Sequence, residues 1–297
     1  MWLGNKGQYR YINKGVRQGG ILSPFLFNFY IDDIICSIKN LDIGCKFGIS
    51  RVNIIAYADD VVLLANNQDD INEIYRIFKQ LIGNIKLKIN ENKSKCVVFR
   101  NKKNIPDILK NKIELEIVDQ FNYLGHILNY NLDDSNDITA KLNKFYSSFN
   151  SIFRSFSQVN IETLLYLFNS YCRPHYGLAL WCSKNIFVKQ SFKTFKIAFN
   201  KSLKKIIDCP SYSSSHAVAE ICQQLLLNHR VIQVQVKYLN RLLNSNHDIL
   251  LINNYFVRHG NLANHLIEIL KQKYQVNLYE NDIDAIISRI HWVQANE

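Results

Sequence analysis

The chain contains 297 residues, which is enough for one large domain or for two to three small ones. Hydrophobic residues make up 47% and charged residues 21%, which argues against a disordered chain, and no signal peptide or run of about 18 apolar residues indicates secretion or a membrane span. We therefore expect an intracellular protein of the nucleus or cytoplasm, whose net charge of +11 favours a polyanionic partner.

The positive charge is concentrated in the middle of the chain. Residues 137–210 carry 11 basic and 3 acidic residues, a net charge of +8. The preceding residues 1–136 carry a net charge of only +3, and residues 211–297 a net charge of zero. This concentration predicts a surface dedicated to a polyanion.

The seven cysteines are odd in number and irregularly spaced, unlike a secreted disulfide framework. We interpret them as small buried hydrophobic residues. The alternative is a partial zinc site formed by Cys172, His175 and Cys182, for which the sequence suggests no fourth ligand.

A glycine-rich loop precedes the first predicted helix. The glycines of GVRQGGILSP (residues 15–24) allow close approach of the backbone to a ligand, although a plain loop before a helix is the more common interpretation of such a segment. Ser23 is a suitable N-cap and Pro24 suits the first helical position. The helix that follows is apolar over most of its circumference, which predicts deep burial.

A pair of adjacent acids interrupts an apolar stretch. Asp59 and Asp60 stand inside YADDVVLLA (residues 57–65), directly after the apolar run RVNIIA. The two runs predict a β-hairpin with the acids at or near its tip, where neighbouring side chains can approach one site. Two interpretations stay open at this point: ligands for a hard divalent cation such as Mg²⁺, and the solvated acids of an ordinary turn.

The pattern changes from mixed strands and helices to helices alone near residue 135. Before this point, residues 95–100 and 113–118 read as strands, and residues 113–128 as a hairpin that turns at Asp119 and Gln120. After it, residues 191–207 form an amphipathic helix with one apolar face and several lysines outside that face. The lysines serve either as contacts to nucleic-acid phosphates or simply as a solvated surface.

Four motifs resemble the reverse transcriptases of non-LTR (LINE-like) retrotransposons in their order and spacing: GVRQGGILSPFLFNFYIDDI, YADDVVLLA, LKINENKSKCVVF and FNYLG. The resemblance extends to about residue 130, and YCRPHYGLALWC continues it more loosely to about residue 210. It implies an α+β fold. Residues 1–135 would form part of a polymerase palm, an antiparallel sheet with packed helices, without its first strand and without the fingers. Residues 136–210 would form a basic, all-helical, thumb-like region, and residues 211–297 a C-terminal helical region of unknown role.

The resemblance also implies a role for individual residues. Asp59 and Asp60 match the metal-binding acids, and Lys93 matches the lysine that protonates the leaving pyrophosphate. The nucleotide and template pocket would include Arg17, Gln18, Gly19, Ser23, Pro24 and Tyr57. The primer grip would include Phe121, Tyr123, Leu124 and Gly125. The lysines that follow the nucleic-acid backbone would be Lys193, Lys196, Lys201, Lys204 and Lys205.

The chemistry implied by the resemblance is nucleotidyl transfer to a primer 3′-hydroxyl with two Mg²⁺ ions, or Mn²⁺ in their place. The substrates would be an RNA template, a DNA primer and a deoxynucleoside triphosphate. We expect no membrane as a partner.

One part of the family pattern is missing from this sequence. The family has a third essential acid on an earlier palm strand, whereas residues 1–31 contain no Asp or Glu. Asp32 and Asp33 fall on the predicted helix and are poor substitutes. We therefore expect an incomplete metal site and an enzyme that is inactive without the upstream half of the polymerase as its partner. The alternative is a non-catalytic nucleic-acid-binding relic of such an element.

Overall fold

The computed structural model describes residues 15, 19–47, 50–100, 114–172, 181, 187, 189–243, 268–276 and 283–296. The chain divides into two compact units. The first unit contains Met1–Ser94 and Pro106–Leu115, and the second contains Lys95–Ile105 and Glu116–Glu297. Helices combine with small antiparallel sheets in the described residues, which confirms the predicted α+β fold class.

The first unit packs two helices against a β-hairpin. Its elements, in chain order, are α1 (Ser23–Lys39), β1 (Cys45–Phe47), β2 (Ser50–Val52), β3 (Ile54–Tyr57), β4 (Asp60–Leu63) and α2 (Gln68–Asn84). Strands β1 and β2 pair antiparallel, as do β3 and β4. The buried core is rich in isoleucine because the inner faces of α1, β3 and α2 all contribute to it, through Ile31, Ile34, Ile38, Ile54, Ile74, Phe78 and Ile82.

Helix α1 differs from its prediction in two ways. Leu22, not Ser23, occupies the N-cap position, and it makes no side-chain capping bond; Pro24 lies in the first turn as predicted. Deep burial holds only for the C-terminal half of the helix. Phe25 is 71% exposed and Phe29 is 85% exposed, because the core that covers this helix begins at Ile31.

The second unit begins with a short hairpin, which is displaced from the predicted one. Strands β5 (Gln120–Tyr123) and β6 (His126–Asn129) pair antiparallel and turn at Leu124 and Gly125, not at Asp119 and Gln120. Both turn residues have a positive φ, 47° and 78°, which a tight two-residue hairpin turn requires and which Gly125 adopts readily.

Two strands were predicted before this hairpin, and neither forms a regular strand in the described residues. Over residues 95–100 and 114–118 the structure contains a single parallel bridge, between Cys96 and Ile117. The Cys96 amide donates to the Glu116 carbonyl at 2.9 Å and the Val118 amide donates to the Cys96 carbonyl at 2.9 Å. The sequence has the apolar alternation of a strand, but a regular strand also needs a partner strand that continues the ladder of hydrogen bonds.

After the hairpin every regular element described in the second unit is a helix, as predicted. Its helices are α3 (Ser135–Phe156), α4 (Ile161–Leu167), α5 (Gln190–Ile206), α6 (Ser215–Ile221), α7 (Leu227–Leu243) and α8 (Ile283–Asn296). Two π-helical turns, Phe168–Cys172 and Leu270–Tyr274, lie between them. None of the described helices combines the length and the apolar character needed to cross a membrane.

Aromatic side chains dominate the main core of the second unit. The ring of Phe145 on α3 lies 5.4 Å from that of Phe195 on α5, and the Phe195 ring lies 6.2 Å from that of Trp181. Helices α4, α6 and α7 complete this core, and a second core joins α7, the second π-helical turn and α8. The two cores share α7, which connects the C-terminal residues to the aromatic core.

We expect Phe195→Ala to lower the free energy of unfolding of the second unit by about 3–5 kcal/mol, because Phe195 is fully buried among aromatic rings. Urea denaturation followed by circular dichroism would measure the change. Ile197→Ala on the same helix is the control, since Ile197 is 53% exposed and its truncation should change stability by no more than about 0.5 kcal/mol. Equal effects of the two substitutions would contradict this description of the core.

Candidate active site

The hairpin formed by β3 and β4 carries the two adjacent acids. Ile54 pairs with Leu63 and Tyr57 pairs with Asp60, so Ala58 and Asp59 form a two-residue turn. The predicted hairpin is confirmed, and the acids lie at its tip. Ile54 is buried and Val61 and Leu63 pack against the core, which explains the apolar residues on both sides of the pair.

The geometry of the turn exposes both carboxylates. Asp59 lies in the turn and Asp60 is the first residue of β4, and both are exposed to solvent, as is Tyr57. The two charges therefore carry no burial penalty, despite their apolar neighbours. Ala58 has a φ of 52°, a left-handed conformation that is uncommon for a residue with a side chain and that is often found at functional sites.

Asp59 and Asp60 supply oxygen ligands of the kind that Mg²⁺ prefers. Mg²⁺ is commonly held by one or two protein carboxylates, with water and substrate phosphates completing its shell, so the pair fits the protein's share of one such site. Among the described residues, no group of three or more His, Cys, Asp or Glu side chains is placed to hold a metal. Cys172 is buried, and burial raises the pKa of its thiol to about 12, as expected for an inert cysteine. Cys36 is exposed, so the interpretation of the cysteines as buried residues is wrong for that position. His175 and Cys182 lie outside the described residues.

The start of β3 is held in place by Asn53, whose role the sequence analysis missed. Its side-chain amide donates to the carbonyl of Ile38 at 2.6 Å and to that of Ile43 at 3.2 Å, and the residue is only 2% exposed. Asn53 thereby ties the end of α1 to the hairpin. A Cβ atom on Gly44 would lie 2.6 Å from the Asn53 Cβ, so glycine is required there. A single polar residue inside RVNIIA was the only signal in the sequence.

The glycine-rich loop is described only in part. Gly15 and Gly19 both adopt a positive φ, 109° and 78°, which glycine permits. Arg17 and Gln18 lie outside the described residues. Ser23 and Pro24 begin α1, and the Ser23 amide donates to the Gly20 carbonyl at 3.2 Å, so the last glycine leads directly into the helix.

Lys93 lies in the same unit, on an exposed turn after α2. The amides of Lys93 and Ser94 donate to the Asn90 carbonyl at 3.1 and 2.9 Å. The loop is tied to α2 by the ion pair between Lys79 and Glu91, at 2.9 Å. Hydrogen bonds to Glu91 and Glu114 raise the pKa of Lys79, which keeps its amine charged.

The predicted primer-grip residues belong to the second unit. Phe121 and Tyr123 lie on β5 and are half-buried, whereas Leu124 is exposed at the turn. The tip of the hairpin therefore presents Leu124 and Gly125 to solvent, while Phe121 and Tyr123 behind them are half-buried.

The five lysines that are predicted to contact the nucleic-acid backbone lie on α5, outside the buried face of that helix. That face contains Phe192, Phe195, Phe199 and Ile206, as the sequence pattern predicts. Lys193 and Lys201 are exposed, and Lys196 is half-buried. The amine of Lys204 donates to the Ser211 carbonyl at 2.7 Å, and the amine of Lys205 lies 4.2 Å from the centre of the Phe153 ring. These two lysines also serve the packing of the unit.

Comparison with known proteins finds a family match over part of the chain. Residues 2–128 match the family described as reverse transcriptase (RNA-dependent DNA polymerase). This region contains the glycine-rich loop, the acidic hairpin, Lys93 and the β5–β6 hairpin.

Three relatives illustrate the match. The Pol polyprotein from the type-1 retrotransposable element R2 of Popillia japonica is 44% identical over 57 residues, which cover 19% of this chain and 8% of the relative. The RNA-directed DNA polymerase from the mobile element jockey of Drosophila funebris is 22% identical over 251 residues, covering 80% of this chain and 27% of the relative. The Pol polyprotein from the element R2DM of Drosophila melanogaster is 34% identical over 80 residues, covering 27% and 8%.

The chain thus spans between 8% and 27% of the length of these relatives. The matched domain and the names of the relatives agree with the motifs read from the sequence. The chain thus resembles the reverse transcriptases of non-LTR retrotransposons, and the family match covers residues 2–128.

Proposed function

We propose that this chain is part of an RNA-directed DNA polymerase that extends a DNA primer on the RNA template of a non-LTR retrotransposon. The observation that carries the proposal is the two-residue turn of the β3–β4 hairpin, which exposes Asp59 and Asp60 side by side. An apolar core fixes the strands behind the turn, so the carboxylates have a rigid support.

Asp59 and Asp60 would hold Mg²⁺, or Mn²⁺ in its place, because exposed carboxylate oxygens are suitable ligands for hard cations. Metal ions held there would supply the chemistry that activates the primer hydroxyl and neutralises the charge on the triphosphate. The protein itself contributes mainly positioning and charge stabilisation.

The remaining site residues bind and orient the substrates. Arg17, Gln18, Gly19, Ser23, Pro24 and Tyr57 contact the incoming nucleotide and the template. Lys93 donates a proton to the leaving pyrophosphate, which its exposed position on a turn allows. Phe121, Tyr123, Leu124 and Gly125 contact the primer end, and the lysines of α5 contact phosphates of the template–primer duplex.

The chain would divide into three functional regions, with the boundaries that the sequence pattern indicates. Residues 1–135 form the palm part, residues 136–210 a thumb-like region, and residues 211–297 a helical C-terminal region. The β5–β6 hairpin packs with α3, so the primer grip and the thumb-like region would move as one body.

We expect the chain by itself to lack polymerase activity, because the palm of this family needs a third acid and residues 1–31 contain none. The upstream half of the polymerase would supply that acid. A chain without it retains a basic surface and becomes a nucleic-acid-binding protein only.

A metal titration tests the acidic turn directly. Mn²⁺ should broaden the amide NMR signals of residues 57–61 first, and the double variant Asp59→Asn, Asp60→Asn should lose this effect because the ligands are gone. The matched control is Asp32→Asn, Asp33→Asn, an exposed pair of adjacent acids on α1 whose side chains diverge along a helix. If both double variants reduced the broadening equally, a specific metal site at Asp59 and Asp60 would be contradicted.

A primer-extension assay tests the completeness of the site. Residues 1–297 with an RNA template, a DNA primer, Mg²⁺ and deoxynucleoside triphosphates should give no extended product. Clear extension that Asp59→Ala abolishes would show that the chain is a complete enzyme, and the expectation of a missing acid would be wrong.

Salt dependence tests the basic face of α5. Duplex affinity should fall steeply with salt, and Lys193→Met, Lys201→Met should reduce the slope of log K against log salt by up to about 2, since each phosphate contact contributes roughly 0.9. The control Lys237→Met, Lys271→Met removes the same charge from exposed positions elsewhere in the second unit. A flat salt response, or equal effects of the two pairs, would refute the assignment of this face.

A further inference from the structure

The β5–β6 hairpin is anchored by a buried carboxylate on α3. Asp137 is only 4% exposed. Its Oδ1 accepts a hydrogen bond from the Ile127 amide at 3.1 Å, and its Oδ2 accepts one from the Trp181 indole at 2.9 Å. The same Oδ2 lies 3.1 Å from Nδ1 of His126. Two of these three partners belong to β6, so the carboxylate fixes the strand that leaves the turn.

A buried amine one helical turn later reaches the turn itself. Lys141 is 8% exposed, and its Nζ donates to the carbonyl of Gly125 at 2.6 Å. Burial lowers the pKa of Lys141, while the nearby charge of Asp137 acts in the opposite direction. Burying a flexible ammonium group is costly unless it gains specific partners. Here the partner is a backbone carbonyl of the turn.

The turn that these residues hold is strained. Leu124 adopts a φ of 47°, a left-handed conformation that is unfavourable for a residue with a β-carbon. Its side chain is 46% exposed, so burial of Leu124 does not compensate for the strain. The two-residue hairpin turn requires this conformation, and contacts from the surrounding residues help to maintain it.

We propose that Asp137 and Lys141 are positioning residues that hold the Leu124–Gly125 turn in the geometry that receives the primer 3′ end. The proposal rests on the proposed role of this hairpin as a primer grip. Neither residue touches the primer: Asp137 acts through the backbone of β6, and Lys141 acts through the Gly125 carbonyl.

The position of the two residues favours this role over general stabilisation. Both charges lie on the first turns of α3 and are directed to the hairpin, whereas the rest of the buried face of α3 packs through apolar and aromatic residues. An apolar residue at position 141 would stabilise such a core without the cost of burying a charge. A lysine there is explained by the turn carbonyl that it contacts.

The test compares two lysines of the same helix in the full chain. Affinity is measured for an RNA–DNA hybrid with a recessed primer 3′ end and for a hybrid of equal length whose ends are closed by loops. The ratio of the two affinities reports recognition of the 3′ end and is independent of general charge. Lys141→Met should reduce this ratio about tenfold, the effect expected from losing a charged hydrogen bond. Lys144→Met, at an exposed position on α3, removes the same charge and should leave the ratio unchanged.

Amide hydrogen exchange provides a second readout, which reports on the hairpin without nucleic acid. Asp137→Asn keeps an oxygen acceptor for Ile127 but loses the charge, and it should accelerate exchange of the Ile127 amide about tenfold while the unit stays folded. Lys141→Arg retains a charged donor and should restore the 3′-end preference. If Lys141→Met fails to fold, Asp137→Asn takes its place in the affinity comparison.

The outcomes separate the two proposals. A wild-type chain without any preference for the recessed 3′ end would refute the primer grip, and the positioning role with it. A wild-type preference that survives both Lys141→Met and Asp137→Asn would refute the positioning role alone. Faster exchange of the Ile127 amide, together with an unchanged preference for the recessed 3′ end, would show that Asp137 and Lys141 only stabilise the hairpin.

Discussion

The buried carboxylate of Asp137 joins parts of the second unit that are far apart in the sequence. It accepts hydrogen bonds from the backbone of β6 and from the indole of Trp181, 44 residues further along the chain. A buried anion without donors costs several kcal/mol, so the hairpin and Trp181 both stabilise the buried position of Asp137 on α3. The rigidity of the hairpin therefore depends on packing that lies outside it.

Trp181 also connects Asp137 to the C-terminal helices. Its ring packs against Phe192 and Phe195 of α5, and its carbonyl accepts a hydrogen bond from Gln235 of α7 at 2.9 Å. Gln294 of α8 in turn accepts from the Leu226 amide at 2.7 Å and donates to the Gln224 carbonyl at 2.8 Å. The C-terminal residues are thus part of the body that carries the lysine face of α5, and glutamine side chains provide much of that attachment.

Local patterns in the sequence were sufficient to predict the structural features that depend on neighbouring residues. The β3–β4 hairpin was predicted from two short apolar runs, the first turn of α1 from Pro24, and the apolar face of α5 from helical spacing. The patterns failed where a distant partner decides the outcome. Alternation in residues 113–118 did not produce a ladder, and the polar pair Asp119 and Gln120 resembled a turn more than Leu124 did. Apolar periodicity also could not tell which half of α1 would find a core, nor that Asn53 and Asp137 would be buried as hydrogen-bonding anchors.

The left-handed residue in the acidic turn has a consequence for how this protein can vary. Ala58 is exposed, and exposed positions ordinarily accept many substitutions with little effect. Its φ of 52° removes that freedom, since β-branched side chains are excluded from this conformation while glycine and asparagine tolerate it. A saturation library at position 58 would therefore lose mainly the β-branched residues and proline and would be enriched in glycine and asparagine, even though the side chain is exposed. Tolerance at this site is set by the backbone.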